Sequence, residues 1–280
     1  VKSTQPKSWV KYETIYGTSC EKSFIERFCK EVKSLGLLSV LRHGFKDRGI
    51  TFRVVYWKPE TSINQTAKEQ YERNILHCTR QLHYSPNNEN SIDIVLFVNG
   101  IPVVSMELKN QFTGQDADNA IRQYKFDRAG KETIFEFKNR VMVHFAVDLY
   151  NVFMTTRLQG SNTYFLPFNQ GSNGAGKVGG KGNPQNENGY QTAYLWEKIL
   201  AKDSLIEILH KYMHLQVEIK EDKNGNNIRK ETMIFPRYHQ LDVVTKLLED
   251  VKKNGAGHNY LIQHSAGSGK SNSIAWLAHR

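Results

Sequence analysis

The sequence lacks any apolar run near the roughly 20 residues that a bilayer-spanning helix needs, and no apolar segment at its start indicates secretion. We therefore expect no membrane association and a cytoplasmic location. Cysteine is scarce as well. Cys20, Cys29 and Cys78 are odd in number and lack C-x-x-C spacing, so neither a disulfide framework nor a zinc site is predicted.

The sequence is rich in positive charge. Over 280 residues, 38 Lys and Arg outnumber 28 Asp and Glu, which gives a formal charge of +10. This excess favours a polyanionic partner such as nucleic acid, although charge alone does not identify one. The 39% of apolar residues can supply the core of one large domain, or of a domain and part of another.

Hydrophobic spacing predicts alternating helices and strands. Residues 18–21 resemble a capping box that begins a first amphipathic helix. Residues 50–57 are predicted as a strand and residues 66–84 as a helix. Two apolar strands, 91–98 and 102–108, flank the dipeptide Asn99-Gly100, which is a strong hairpin signal.

Three charged residues are predicted at one end of this hairpin. Asp93 interrupts the apolar run 92–98, and Glu107 and Lys109 end the second strand. A charge in a half-buried strand costs free energy unless it is paired, exposed or holding a metal. One interpretation is a phosphodiesterase site in which the two carboxylates hold Mg²⁺ and Lys109 orients the attacking water. The alternative is an exposed, salt-bridged strand end.

The E-x-K pattern alone is not specific. It occurs five times, beginning at Glu31, Glu107, Glu136, Glu218 and Glu221. Only Glu107 ends an apolar strand that follows another apolar strand bearing an aspartate. Asp148 also follows an apolar strand, but no E-x-K comes after it, so a turn aspartate is favoured there.

Because side chains alternate between the two faces of a strand, the hairpin hypothesis predicts which residues must pair. Glu107 and Lys109 share a face, and Asp93 joins them only if it lies opposite Glu107. A strict two-residue turn at Asn99-Gly100 would pair Val98 with Ile101 and put Asp93 on the wrong face. We therefore predict either a three-residue loop or an equivalent bulge.

A phosphate-binding loop is predicted near the end of the sequence. Residues 264–271, HSAGSGKS, would follow a strand at 260–263 and precede a helix at 271–279. Loop backbone groups and the helix N-terminus would hold phosphates, and a Lys and a Ser would supply charge and a Mg²⁺ ligand. His264 stands where the pattern expects its first glycine. The predicted nucleotide-binding residues are Gly267, Ser268, Gly269, Lys270 and Ser271.

A second glycine-rich stretch, residues 171–178, matches the same spacing up to Lys177. Val178 cannot ligate Mg²⁺, and the glycines and Pro184 that follow cannot begin a helix. Residues 170–189 are therefore predicted to form a flexible loop.

Several segments together resemble a known family. The run SIDIVLFVNG at 91–100, Pro102 and ELKN at 107–110 resemble the nuclease core of the restriction subunit of type I restriction-modification enzymes, a member of the PD-(D/E)XK nuclease superfamily. Similar segments follow in the order found in that family: 120–124, 143–148, 154–156, 165–168, 194–196, 235–240 and 263–271.

The resemblance implies an α/β fold with a mixed sheet flanked by helices. Residues 1–232 would form the endonuclease domain, and residues 233–280 the beginning of a RecA-like ATPase domain of the superfamily 2 helicase type, truncated after the phosphate loop. It also implies Mg²⁺ and ATP as cofactors, with weak or absent ATP binding in this chain. Double-stranded DNA and the methyltransferase and specificity subunits of the same complex would be the partners.

Family roles can be carried over to individual residues of the nuclease part. Asp93 and Glu107 would hold Mg²⁺, and Lys109 would be the catalytic lysine. Gln123 resembles a glutamine that is followed four positions later by a tyrosine in related nucleases, whereas this sequence has Asp127 there.

Two further residues have competing explanations. Glu21 matches an acidic residue of the first helix that sometimes completes the metal site, but a capping box also explains it. Gln240 resembles the glutamine that reads adenine in superfamily 2 motors, or it is an ordinary polar residue at a helix start.

The sequence therefore predicts the DNA-cleaving subunit of a type I restriction enzyme, with Mg²⁺-dependent phosphodiester hydrolysis coupled to ATP-driven translocation in the full-length protein. Two alternatives stay open. One is an ATP-dependent nuclease-helicase of DNA repair, and the other is a non-catalytic DNA-binding module with the same fold.

Overall fold

The structure is a computed structural model that describes residues 1–61, 63–128, 130–221, 225–265 and 267–279. The chain contains both helices and strands, as predicted. The α-helices are α1 (Pro6–Tyr16), α2 (Cys20–Leu35), α3 (Leu37–His43), α4 (Gln65–Glu72), α5 (Ala117–Phe126), α6 (Lys202–Glu207), α7 (Tyr238–Asn254) and α8 (Lys270–Ala278). Two short π-helical turns, Leu195–Ile199 and Ile208–Tyr212, flank α6.

The strands form one larger sheet and two small hairpins. The strands are β1 (Phe45–Asp47), β2 (Ile50–Phe52), β3 (Leu76–His83), β4 (Ser91–Val98), β5 (Ile101–Leu108), β6 (Val143–Val147), β7 (Val152–Thr155), β8 (Leu166–Pro167), β9 (His214–Glu221) and β10 (Asn227–Ile234). Strands β3 to β8 form a six-stranded sheet in sequence order, and β1–β2 and β9–β10 are separate pairs. Only β5 and β6 run parallel in the larger sheet, and α5 lies in the connection between them. This confirms a mixed sheet flanked by helices.

The β4–β5 hairpin confirms the predicted bulge, not the longer loop. Val98 pairs with Ile101, so Asn99 and Gly100 form a two-residue turn, and both have positive φ, 52° and 81°. The register then shifts between Leu96 and Phe97, which leaves Val103 as the extra residue.

The bulge has a packing cause. Val103 and Val104 are consecutive residues, yet both are fully buried in the larger core cluster. Regular alternation would place one of them on each face of the sheet. By changing parity at this point, the bulge keeps both valines in the core and leaves Glu107 and Lys109 on the opposite face.

That opposite face is covered by α5 and holds a smaller core cluster. Ala120 and Tyr124 of α5 pack there with Val95 of β4 and Ala146 of β6. The helix begins at a capping box, in which Asp116 accepts from the backbone of Asn119 and the Asn119 side chain accepts from the backbone of Asp116.

The predicted helix at 66–84 is wrong over its second half, because residues 76–83 form strand β3. Leu76, Thr79 and Leu82 recur every three residues and imitate a helical stripe. Strand β3 lies at the sheet edge, where β4 supplies its backbone partners. Tertiary pairing therefore overrides the local pattern.

The predicted strand at 50–57 is also shortened, to Ile50–Phe52. Beyond it, side chains rather than a neighbouring strand satisfy the backbone. Gln5 accepts from the backbone N–H of Arg53 and donates to its carbonyl, and Asn74 does the same for Tyr56. A segment whose backbone groups are already bonded has no need of a strand partner.

Residues 260–263 do not form the strand predicted before the phosphate loop. Leu261 is 95% exposed, and no strand in the described part of the chain pairs with this segment. The apolar residues would need sheet neighbours to bury them. The following helix is confirmed, since α8 spans Lys270–Ala278. Ala266, inside the predicted loop, lies outside the described residues.

The predicted domain boundary between residues 232 and 233 stays a prediction and falls within β10.

Residues 170–189 contain no helix or strand, as the glycines and proline predict. Backbone hydrogen bonds close the segment near its base, from Gly171 N to Gly182 O at 2.8 Å and from Ser172 N to Gly180 O at 3.0 Å. Asn183 is buried and donates to the carbonyl of Tyr150.

Over the described residues, no helix is both long enough and apolar enough to span a membrane. The three cysteines are free thiols, and only Cys20 is fully buried.

Candidate functional site

Asp93 and Glu107 lie opposite each other on adjacent strands. Ile94 pairs with Met106, so the next pair along the same antiparallel register is Asp93 with Glu107. The backbone N–H of Leu108 donates to Oδ2 of Asp93 at 2.7 Å, which fixes this end of the hairpin. The bulge therefore brings together the two carboxylates that the sequence predicted would converge.

Glu107 is completely buried, and its two oxygens differ. Oε1 accepts a hydrogen bond from Nε of Arg128 at 2.8 Å, whereas Oε2 has no hydrogen-bond partner in the described structure. Burial and the nearby Asp93 carboxylate raise the pKa of Glu107 to about 7, although Arg128 opposes this shift. The site thus contains a buried acceptor atom, Oε2, that has no donor among the described residues.

Arg128 joins three parts of the site. Besides its bond to Glu107, one of its terminal nitrogens donates to the backbone carbonyl of Ser91 at 2.6 Å. Its guanidinium also lies 5.7 Å from the centre of the Tyr84 ring, within range of a cation–π interaction. Arg128 therefore links the end of α5 to β4 and β5.

Asp93 is held from both neighbouring strands. Gln81 of β3 donates through Nε2 to Oδ1 of Asp93 at 2.9 Å, and Leu108 of β5 bonds the other oxygen. Each carboxylate oxygen of Asp93 thus accepts one hydrogen bond from a neighbouring strand and can accept another.

Lys109 and Gln123 line a shared pocket of about 520 Å³ beside the hairpin end. Gln115, Asn119 and Arg122 also line it, so its surface offers several amides and two cationic side chains. The Oε1 atom of Gln123 is buried without a hydrogen-bond partner among the described residues. The structure therefore places Gln123 near Lys109, as the prediction requires.

Asp148 sets the position of α5 relative to the sheet. Its Oδ2 accepts from the backbone N–H of Ala117, the first residue of α5, and its Oδ1 accepts from Tyr150 and Asn151. This geometry confirms a turn aspartate, with the added role of anchoring the helix that carries Gln123.

A buried polar network lies beneath the carboxylates on the same face of β5. The Ser105 hydroxyl is 2.8 Å from the Tyr124 hydroxyl and 2.8 Å from Nδ1 of His144. Burial lowers the pKa of His144 to about 3, so the ring is neutral at physiological pH. The network ties β5, β6 and α5 together next to Glu107.

Glu21 does not contact this site. It is exposed on α2 and pairs with Lys2, and no side-chain capping bond forms at the start of α2. The predicted capping box at 18–21 is therefore wrong, because α2 begins at Cys20 with Ser19 rather than Thr18 as its N-cap, and Ser19 directs its hydroxyl to the carbonyl of Tyr16. A metal role for Glu21 stays a prediction.

Mg²⁺, which the family resemblance implies, can be tested against the residues present. The unpartnered Oε2 of Glu107 and the Asp93 carboxylate offer oxygen ligands of the kind Mg²⁺ prefers, with waters completing its shell. Among the described residues, no group of three or more His, Cys, Asp and Glu side chains gathers to hold a metal. The arrangement fits an ion held by two carboxylates and several waters.

The predicted nucleotide residues lie together at the start of α8. Gly267 and Gly269 have φ of 71° and 82°, and Lys270 begins the helix. Gln240 donates to the carbonyl of Gly269 at 2.8 Å and accepts from the backbone of Arg237 at 2.8 Å. The φ of 82° at Gly269 favours glycine, and a side chain there would also displace the Gln240 amide.

These contacts leave the role of Gln240 open. It occupies the third position of α7 in a capping arrangement with Arg237, which agrees with a structural residue at a helix start. It also touches the predicted phosphate loop, which agrees with a nucleotide-binding residue. Lys270 directs Nζ to the carbonyl of His264 at 3.3 Å. Ser268 is buried, and its hydroxyl has no partner among the described residues, while Ser271 lies in the first turn of α8.

Two residues of the carboxylate site were missed by the sequence analysis. Arg128 follows Ala120 and Tyr124 at intervals of four, so a charge that continues the buried stripe just beyond the end of α5 was a usable signal. Gln81 had no such signal, because its segment was predicted as a helix.

Comparisons with known proteins cover the part of the chain that contains this site. The family described as the type I restriction enzyme R protein N terminus matches residues 43–163, which contain Gln81, Asp93, Glu107, Lys109, Gln123 and Arg128.

A curated relative from Methanocaldococcus jannaschii, named as the MjaVIIIP endonuclease subunit of a type I restriction enzyme, is 24% identical over 220 residues. The match covers 74% of this chain and 18% of that relative, so the chain spans less than a fifth of its length. These matches confirm, for residues 43–163, the resemblance to the N-terminal region of type I restriction enzyme R proteins.

Proposed function

We propose that this chain is the endonuclease part of the DNA-cleaving subunit of a type I restriction enzyme and hydrolyses DNA phosphodiester bonds with Mg²⁺. The observation that supports this most directly is the bulged hairpin. It sets Asp93 opposite Glu107 and leaves one buried Glu107 oxygen without a partner. The similarity of residues 43–163 to type I restriction enzyme R proteins and the excess of positive charge support the same substrate.

Each residue then has a defined task. Asp93 and Glu107 hold the metal through carboxylate oxygens. When bound, Mg²⁺ supplies an activated water and stabilises negative charge on the phosphate. Lys109 donates to the attacking water or to a phosphate oxygen, and Gln123 bonds a substrate or water that enters the shared pocket. Arg122, on the wall of that pocket, binds the DNA backbone.

We also propose that the full-length protein couples cleavage to ATP-driven translocation of DNA. Residues 264–271 would hold the ATP phosphates, with Gln240 at the adenine. The left-handed glycines and Lys270 at the start of α8 support this assignment. Methyltransferase and specificity subunits would select the DNA site, and their co-purification with the full-length protein would distinguish it from a DNA-repair nuclease-helicase.

The test is a Mn²⁺ titration by calorimetry on the wild type, Asp93→Asn and Glu107→Gln, followed by a nicking assay on double-stranded DNA. We expect one class of sites in the wild type and at least tenfold weaker binding in both variants. Glu218→Gln is the matched control, because Glu218 begins another E-x-K in a strand and pairs with Lys220. Glu21→Gln tests the remaining predicted ligand.

Equal binding in the wild type and both site variants would move the metal elsewhere and end the proposal. A second candidate, a non-catalytic DNA-binding module, is favoured by one observation: Arg128 already bonds Glu107 without a metal. DNA binding that persists in a wild type unable to bind Mn²⁺ would support that candidate.

A further inference from the structure

Gln81 has an unusual backbone conformation for its position. Its φ is 48°, in the left-handed region that non-glycine residues rarely adopt, and it lies inside strand β3. The other described non-glycine residues with positive φ, Arg48, Asn99 and Lys138, lie outside the strands. Such a conformation persists only where surrounding contacts hold it.

This conformation is not needed to shift the strand register. Arg80 pairs with Ile94 and Leu82 pairs with Ile92, so β3 and β4 keep the same register on both sides of Gln81. Gln81 consequently faces Asp93 with no extra residue on either strand. The effect of the conformation is local to this pair.

The Gln81 amide connects Asp93 to a second side chain of β4. Its Nε2 donates to Oδ1 of Asp93 at 2.9 Å, and its Oε1 accepts from the Ser91 hydroxyl at 2.8 Å. Since Leu108 N donates to the other Asp93 oxygen, both oxygens are bonded, from opposite neighbouring strands. The carboxylate plane is therefore fixed before any metal arrives.

We propose that Gln81 is a positioning residue, which orients the Asp93 carboxylate toward Glu107 so that both can hold one divalent cation. This inference rests on the proposed function. Gln81 does not contact the cation or the DNA; it acts through Asp93. Hydrogen-bond partners of metal ligands generally contribute about 10- to 100-fold in metal affinity.

Two substitutions separate the strained backbone from the hydrogen bond. Gln81→Ala removes the amide and keeps the unfavourable φ, whereas Gln81→Gly removes both. We expect both variants to bind Mn²⁺ about 10- to 100-fold more weakly than the wild type. We expect Gln81→Gly also to melt about 2 °C above Gln81→Ala, because glycine adopts positive φ freely.

The measurements are Mn²⁺ titration calorimetry and thermal unfolding of the metal-free protein. Cys78→Ser, at another exposed position of β3, is the matched control and should leave the affinity unchanged. A loss of affinity in the more stable glycine variant cannot arise from unfolding, so a merely structural role would not produce it.

The outcomes distinguish this inference from the proposed function. If Asp93→Asn abolishes binding while both Gln81 variants bind within twofold of the wild type, the positioning role is wrong and the metal site stands. If the wild type does not bind Mn²⁺, or if Asp93→Asn binds it equally well, both proposals are wrong.

Discussion

At the scale of single residues, the site combines a buried acid and a buried base whose pKa values are shifted in opposite ways. The pKa of Glu107 is raised from its ordinary 4.5 to about 7 by burial and by Asp93. The pKa of His144 is lowered from 6.5 to about 3 by burial. Both groups therefore favour their neutral forms in the metal-free protein, as expected in a region of low dielectric constant.

The two shifts have opposite effects on stability. Glu107 favours folding below pH 4.5, and this contribution is lost as the pH rises through 7. His144 favours folding above pH 6.5, and its contribution is lost as the pH falls toward 3. Between pH 4.5 and 6.5 each group changes the free energy of unfolding by about 2 kcal/mol, with opposite signs, so the two changes offset each other.

We predict that in Glu107→Gln the effect of His144 on the free energy of unfolding is no longer offset by Glu107. The free energy of unfolding of this variant, relative to the wild type, should rise by about 2 kcal/mol from pH 4.5 to 6.5. In His144→Asn the relative value should fall over the same interval. Urea unfolding of the metal-free proteins at several pH values measures both. Parallel curves for the wild type and Glu107→Gln would show that Glu107 does not titrate in this range.

At the scale of secondary structure elements, one helix and one hairpin assemble the site. The bulge in β5 aligns Glu107 with Asp93, while α5 carries Gln123 and leads into Arg128. The position of α5 depends on Asp148, which is 5% exposed and accepts three backbone N–H groups. A residue outside the site thus controls part of its geometry.

We predict that Asp148→Ala destabilises the protein by about 2 to 4 kcal/mol, because it leaves buried N–H groups without acceptors. Asp118→Ala, an exposed carboxylate in the first turn of the same helix, should cost less than about 1 kcal/mol. Urea unfolding gives both values. Equal losses in the two variants would mean that the Asp148 contacts do not anchor α5.

At the scale of the whole molecule, the last two helices pack on the same core as the larger sheet. Leu241 and Val244 of α7 and Trp276 of α8 belong to the cluster that also contains Phe145 and Met154. The indole N–H of Trp276 donates to the carbonyl of Tyr212 at 2.9 Å. Residues after the predicted domain boundary are therefore part of the folded unit described here.

We predict that Trp276→Ala lowers the free energy of unfolding by about 3 to 5 kcal/mol, as expected when a large core aromatic is lost. Trp196, which is 42% exposed, is the matched control, and Trp196→Ala should cost less than about 1 kcal/mol. Denaturant unfolding monitored by circular dichroism measures both. A Trp276→Ala variant as stable as the Trp196→Ala control would show that α8 does not support the core.

The sequence by itself determined the features that depend on near neighbours. Asn99-Gly100 specified the turn because its two residues need positive φ, and side-chain parity required a bulge for Asp93 to face Glu107. The composition of residues 170–189 excluded regular structure there. Each of these follows from a few consecutive residues.

Tertiary structure decided the features that depend on distant partners. Strand β3 exists because β4 pairs with it, and only that pairing brings Gln81 to Asp93. Arg128 reaches Glu107 from 21 residues along the chain. Residues 260–263 had a strand-like pattern but found no sheet neighbour among the described residues. Local sequence sets turns and faces, whereas hydrogen-bond partners and burial are set by which elements pack together.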